Sequence, residues 1–129
     1  MKATTPFSVK KRILSLKHGI RGIVTMLRME HNSRIHLTVL LIVIILGIFL
    51  HIKPVEWAIV AVVSGMVIIS ELFNSAIEDL ADIVHPDWDQ KIGRIKDYTA
   101  GAVFIASVIS LIAGIIIFIP KVIDIMDVL

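Results

Sequence analysis

Between Val55 and Val84 the chain reads V-E-W-A-I-V-A-V-V-S-G-M-V-I-I-S-E-L-F-N-S-A-I-E-D-L-A-D-I-V. Fourteen largely apolar residues, Trp57–Ser70, run without a break into Glu71, Asn74, Glu78, Asp79 and Asp82. A run this long and apolar predicts a membrane-spanning helix, because a backbone in lipid must satisfy its own hydrogen bonds. The carboxylates then need an explanation, since polar groups on such a helix face protein or a water-filled cavity rather than lipid tails.

Two further segments share this character. Leu37–Ile52 is predominantly apolar and ends at Lys53-Pro54; proline restricts the residue before it and suits the first turn of a new helix. Tyr98–Ile119 is apolar throughout, with Ala100, Gly101, Ala102, Ala106, Ser107 and Gly114 allowing close helix approach. Pro120 is expected to close it. With 57% hydrophobic residues in 129, the chain is too apolar for an ordinary soluble domain. The expected architecture is one all-α integral membrane domain over 1–129. Its spanning helices cover about 35–53, 55–84 and 98–119, and a surface helix covers about 8–30.

The surface helix is read from Ser8–Met29, where Ile13, Leu16, Ile20, Ile23, Val24 and Leu27 recur at helical spacing. Lys10, Lys11, Lys17, Arg21 and Arg28 fall largely elsewhere on the wheel. Eight of the 13 Lys and Arg residues lie in Met1–His36, and three more lie in the 85–97 loop. The excess of basic residues predicts that the N-terminus and this loop are cytoplasmic. Cysteine is absent, which excludes disulfides. No aromatic stacking platform accompanies the basic arm, so nucleic acid is not an expected partner.

Glu71, Asn74, Glu78 and Asp82 are spaced i, i+3, i+7 and i+11 and share one helical face. A helix entering at Val55 reaches Glu71 after ~24 Å and Glu78 after ~35 Å, against a hydrocarbon core near 30 Å. Glu71 is thus expected just inside the cytoplasmic edge and Glu78 at or beyond it. Glu30 lies at a similar depth, where the basic arm meets the first span. Two carboxylates at one depth on different helices can share a hard cation such as Mg²⁺. Lys96-Asp97 adds a cation able to meet phosphate charge. Simpler readings stand beside these: Glu71 as a structural hydrogen-bonding group, Glu30 paired with Arg34, Asp82 paired with Lys96 or Arg94, and Trp57 and Trp88 as interfacial anchors.

The string E-L-F-N-S-A-I-E-D-L-A-D, followed after a loop by K-D, resembles the signature of the small prokaryotic diacylglycerol kinase family. E-H-N-S-R-I-H at Glu30–His36 and A-G-A-V at Ala100–Val103 extend the likeness from about Lys17 to Ala106. The resemblance implies a bacterial inner-membrane lipid kinase that uses ATP with Mg²⁺ and works as a homotrimer with shared sites. Carried over by position, it implies that Glu71 is the catalytic base and Asn74 orients the site. It implies that Glu30 and Glu78 hold the metal and the nucleotide, which Lys96, Asp97, Asp87, Trp88, Asp89, Lys11 and His18 also contact. Arg34 and Ser75, with Glu71, fall at positions that meet the lipid. R-I-H at Arg34–His36 and K-H-G-I-R-G-I at Lys17–Ile23 look like the undecaprenol kinase branch, with diacylglycerol as the alternative acceptor. No G-x-x-x-x-G-K-[ST] loop is present, so any phosphate cradle differs from that of soluble kinases. Two readings of another class remain at this stage: a proton-coupled transporter or channel subunit using Glu71, and a non-catalytic assembly factor.

Overall fold

The computed structural model describes residues 8–127 and contains four α-helices. They are α1 (Val9–Met29), α2 (His31–Phe49), α3 (Pro54–Val84) and α4 (Gln90–Met126). The last three are long and apolar enough to cross a membrane. Lys2, counted above in the basic arm, lies outside the described residues.

A single residue, Glu30, separates α1 from α2. Its extended backbone (φ −97°, ψ 125°) breaks the helical path while its N–H still closes α1 onto the Met26 carbonyl. The helix that carries the first apolar run therefore begins at His31 and ends at Phe49, against the expected 35–53. Its 19 residues rise about 28 Å, close to a hydrocarbon core.

The α2–α3 connection is a Schellman turn. Ile52 N–H donates to the Gly47 carbonyl and His51 N–H to the Ile48 carbonyl, while His51 adopts the left-handed conformation (φ 49°). Pro54 then occupies the first turn of α3, and Glu56 accepts a hydrogen bond from the Lys53 N–H. Ile52 packs into a small cluster with Val60 and Ile117, flanked by Val43, Leu50, Trp57 and Phe118. Trp57 is thus a packing residue of the helical hairpin. Its ring lies over Gly47, where an added Cβ would come 2.8 Å from Cη2.

Gly47→Val is expected to destabilise the protein by about 1–3 kcal/mol through overpacking against this ring. The substitution to alanine is a poorer probe, because it regains up to about 1 kcal/mol of helix propensity. A lower thermal midpoint in detergent for Gly47→Val, relieved by Trp57→Leu in the same chain, would show the effect. An unchanged midpoint would mean that the ring yields freely.

Two expectations for the third span need correction. The helix begins at Gln90, not Tyr98, so the connection after α3 is only His85–Asp89 and Lys96 and Asp97 are helical. Asp89 is the reason: its Oδ1 accepts from the N–H groups of Lys91 and Ile92 and so caps α4. Those bonds, the one from Ile92 foremost, hold the Asp89 carboxyl below the ordinary aspartate range. Nor does Pro120 close the helix, which continues to Met126. A proline inside a helix deletes one backbone bond. Here the next residue, Lys121, is fixed to α3 by an ion pair with Glu56 (3.1 Å).

The tightest pairing is between the antiparallel helices α3 and α4. Ion pairs lie between the two helices near both ends, Glu56–Lys121 at one and Asp82–Lys96 at the other. Glu56 and Asp82 are 26 residues apart, about 39 Å of rise, which exceeds a hydrocarbon core near 30 Å. Between them, α2, α3 and α4 enclose an apolar cleft of about 540 Å³ whose lining includes His36, Val39, Val67, Ser110 and Phe118.

Candidate active site

Polar burial is concentrated where α2 leaves the Glu30 corner and crosses α3. Ser33 is fully enclosed, and Glu71, at the end of the apolar run of α3, is 2% exposed. The Ser33 hydroxyl donates a long hydrogen bond, 3.4 Å, to Glu71 Oε1. No described residue donates to Glu71 Oε2, so one carboxylate oxygen is anchored and the other is available.

The next turns of α3 continue the polar face. Asn74 Nδ2 donates to Glu78 Oε1 at 3.0 Å, which sets the amide in one orientation and leaves its Oδ1 directed elsewhere. That Oδ1 and the Ser75 hydroxyl are both buried without a hydrogen-bond partner. Buried polar atoms are nearly always satisfied, so two orphans beside a buried carboxylate mark a place suited to a polar ligand. One turn beyond Glu78, Lys96 of α4 reaches across and donates to Asp82 Oδ1. Lys96, not Arg94, is therefore the partner of Asp82. The stripe is thus a graded series: an enclosed carboxylate with one free oxygen, an amide–carboxylate pair, then an exposed ion pair.

Glu30 occupies the corner itself. Its carboxylate caps no helix and forms no ion pair with a described residue. Arg34 bonds instead to the Glu30 backbone carbonyl (Nε to O, 3.3 Å). The ion-pair reading of Glu30 and Arg34 is therefore replaced by a backbone contact, and the carboxylate remains open. Glu30 and Glu78 both offer hard oxygen donors, the ligand type that suits Mg²⁺. No group of three or more His, Asp or Glu side chains gathers among the described residues. A cation held here would draw the rest of its coordination from phosphate and water.

The remaining residues singled out from the sequence are scattered. Lys11 and His18 lie on α1, fully outward, and bond to no described side chain. Asp87 and Trp88 sit in the short connection, with Trp88 88% exposed, while the Asp87 carbonyl contacts His85 Nδ1 at 3.0 Å. Asp89 is engaged as a helix cap through Oδ1. Asp97 is exposed and, on a helix, points about 100° away from Lys96. Ser33 had no signal in the sequence beyond its place three residues after Glu30.

Comparison with known proteins identifies the family of the chain. The family described as Prokaryotic diacylglycerol kinase matches residues 17–118. An undecaprenol kinase of Bacillus subtilis (strain 168) is 36% identical over 107 residues, covering 83% of this chain and 87% of its own. A diacylglycerol kinase of Synechocystis sp. (strain ATCC 27184 / PCC 6803 / Kazusa) is 29% identical over 115 residues, covering 88% and 66%. The matched region takes in the Glu30 corner, the whole Glu71–Asp82 stripe and Lys96, and on that basis the chain belongs to the prokaryotic diacylglycerol kinase family of lipid kinases.

Proposed function

We propose that this protein transfers the terminal phosphoryl group of ATP to the hydroxyl of undecaprenol, at the cytoplasmic face of the bacterial inner membrane. The observation that carries the proposal is Glu71: a carboxylate enclosed within an apolar helix, anchored through one oxygen by Ser33 and open at the other. A lipid alcohol keeps its hydroxyl at the interface and its tail in the hydrocarbon. Glu71 lies about 24 Å along α3 from Val55, the depth of such a hydroxyl. Val67, one turn deeper, lines the apolar cleft, which takes the first part of the tail.

In the reaction, Glu71 Oε2 accepts the hydroxyl proton as the lipid oxygen bonds to the terminal phosphorus of ATP. The bond from that phosphorus to the bridging oxygen breaks, and ADP leaves. The Ser75 hydroxyl donates to the incoming lipid oxygen, and Asn74, held through Nδ2 by Glu78, orients the site. Glu78 and Glu30 are the residues that would hold Mg²⁺, which when bound would neutralise phosphate charge. Lys96 meets the phosphates, with Asp97, Asp87, Trp88, Asp89, Lys11 and His18 around the nucleotide and Arg34 toward the lipid head. The helix α1 lies on the membrane surface with its apolar side chains, Ile13, Leu16, Ile20 and Ile23, in the lipid interface; all four are exposed in a single chain. Three copies assemble with sites shared between subunits, as the likeness to the prokaryotic diacylglycerol kinase family implies.

Undecaprenol is favoured over diacylglycerol by the Bacillus subtilis relative, which shares the higher identity over most of its length. Purified protein in mixed micelles, given MgATP with each lipid in turn, tests the choice. At least about tenfold higher kcat/KM for undecaprenol is expected, a difference of about 1.4 kcal/mol. A reversed ratio would assign diacylglycerol instead. Absence of Mg²⁺-dependent transfer to either lipid would overturn the proposal.

A further inference from the structure

The Asp82–Lys96 pair has no evident value as a brace. Its side chains are 65% and 32% exposed, and exposed ion pairs contribute little to stability. The Glu56–Lys121 pair at the opposite end of the same hairpin is more enclosed, at 24% and 19%, and better suited to that task. What distinguishes Asp82 is its position. It stands one helical turn beyond Glu78 on the same face of α3. It also takes hold of the one lysine of α4 that reaches back to that face.

A free lysine samples many rotamers, and fixing it upon ligand binding costs conformational entropy. Asp82 has already gathered the Lys96 ammonium, one turn beyond Glu78 of the Asn74–Glu78 pair. The Lys96 backbone is fixed as well, because its carbonyl accepts from the Thr99 hydroxyl at 2.9 Å. We propose that Asp82 is a positioning residue for the nucleotide. It holds the Lys96 ammonium one turn beyond Glu78, where a triphosphate running outward from Glu78 passes, and yields it to the phosphates when the nucleotide arrives. The inference rests on the reading of Lys96 as a phosphate contact.

The test is steady-state kinetics and thermal unfolding of the full chain in mixed micelles with undecaprenol. Lys96→Met should raise KM for MgATP about tenfold or more, the value of a lost charge-assisted hydrogen bond. Asp82→Asn should raise it by about two- to fivefold, the scale of an exposed ion pair, with the KM for lipid unmoved. The reversed pair, Asp82→Lys with Lys96→Asp, should keep the thermal midpoint of the original protein but lose its KM for MgATP. Lys121→Met, at the far end of the hairpin, should lower the midpoint and leave both KM values alone.

If Lys96→Met raises KM for MgATP while Asp82→Asn changes it less than twofold, the role given to Asp82 is wrong and the phosphate role of Lys96 stands. An unchanged KM in Lys96→Met removes the phosphate role itself. Recovery of KM by the reversed pair would show the two residues to be only a brace. Should Asp82→Asn not fold, Asp82→Glu keeps the charge and moves the carboxylate outward by one methylene. It then carries the same comparison, with a smaller rise in KM expected.

Discussion

Glu71→Gln is expected to lower kcat for lipid phosphorylation by about 10²–10⁴-fold, the range for removal of a general base. The substitution is close to isosteric, and the Ser33 hydroxyl can still donate to the remaining Oε1. Packing around the enclosed side chain is therefore kept, and the thermal midpoint should hold or rise, because a buried charge has been removed. Binding of MgATP should be retained, since Glu78 and Lys96 lie one or more turns further out. The loss then falls on kcat rather than on KM for MgATP, as for an interaction made mainly in the transition state. Ser33→Ala serves as the companion measurement, because it removes the anchor and leaves the carboxylate. If Glu71 were only a structural hydrogen-bonding group, the glutamine would keep the bond to Ser33 and full activity with it. Wild-type kcat in Glu71→Gln would thus end the case for a base.

The parts of the structure that the sequence made legible are those set by hydropathy and by residues with one dominant conformation. Three apolar runs could only be helices in lipid, and Pro54 following Lys53 could only begin one. The acidic stripe was legible for a related reason: once α3 is a helix, spacing alone places Glu71, Asn74, Glu78 and Asp82 on one face. The start of α4 was not legible by the same means. Residues 90–97 are polar, and hydropathy locates where a helix enters lipid rather than where it begins. The deciding feature was a cap, Asp89, whose effect shows only when its oxygen meets two backbone N–H groups. Pro120 misled for the opposite reason. Its local preference is to end a helix, but the Glu56–Lys121 pair fastens the following residue to α3. At His51 a histidine takes a left-handed position that glycine usually fills, held by the local bonds from Ile52 and His51 back to α2.

The candidate site divides along the same line. Its carboxylates were legible because charged residues in an apolar run are conspicuous. Its partners were not, because pairing is a property of two helices. Ser33 is an ordinary residue in sequence, and only the crossing of α2 over α3 turns it into the contact of Glu71. The open carboxylate of Glu30 likewise depends on Arg34 choosing the backbone carbonyl, which an i, i+4 spacing does not decide.

Glu78→Gln should behave differently from Glu71→Gln, and the difference separates the two depths of the stripe. The glutamine keeps an acceptor for Asn74 Nδ2, so the local i, i+4 bond survives. What disappears is a hard anionic ligand at the level of the phosphates. Metal-mediated charge stabilisation is worth several kcal/mol, so kcat/KM for MgATP should fall by about 10²–10³-fold. Raising Mg²⁺ should restore part of that loss, because a weakened site is refilled by mass action. The same excess Mg²⁺ should do nothing for Glu71→Gln, whose missing function is proton transfer. Glu71 and Glu78 are seven residues apart, about 10 Å of rise on one face. A helix carrying the base at one level and the metal ligand about 10 Å further out should give two separable defects. Titration of both variants over Mg²⁺, at fixed undecaprenol and subsaturating ATP, measures this directly. If Glu78→Gln titrates with Mg²⁺ as the unaltered protein does, Glu78 is only the acceptor for Asn74, and the ligand must be sought at Glu30 or Asp82 instead.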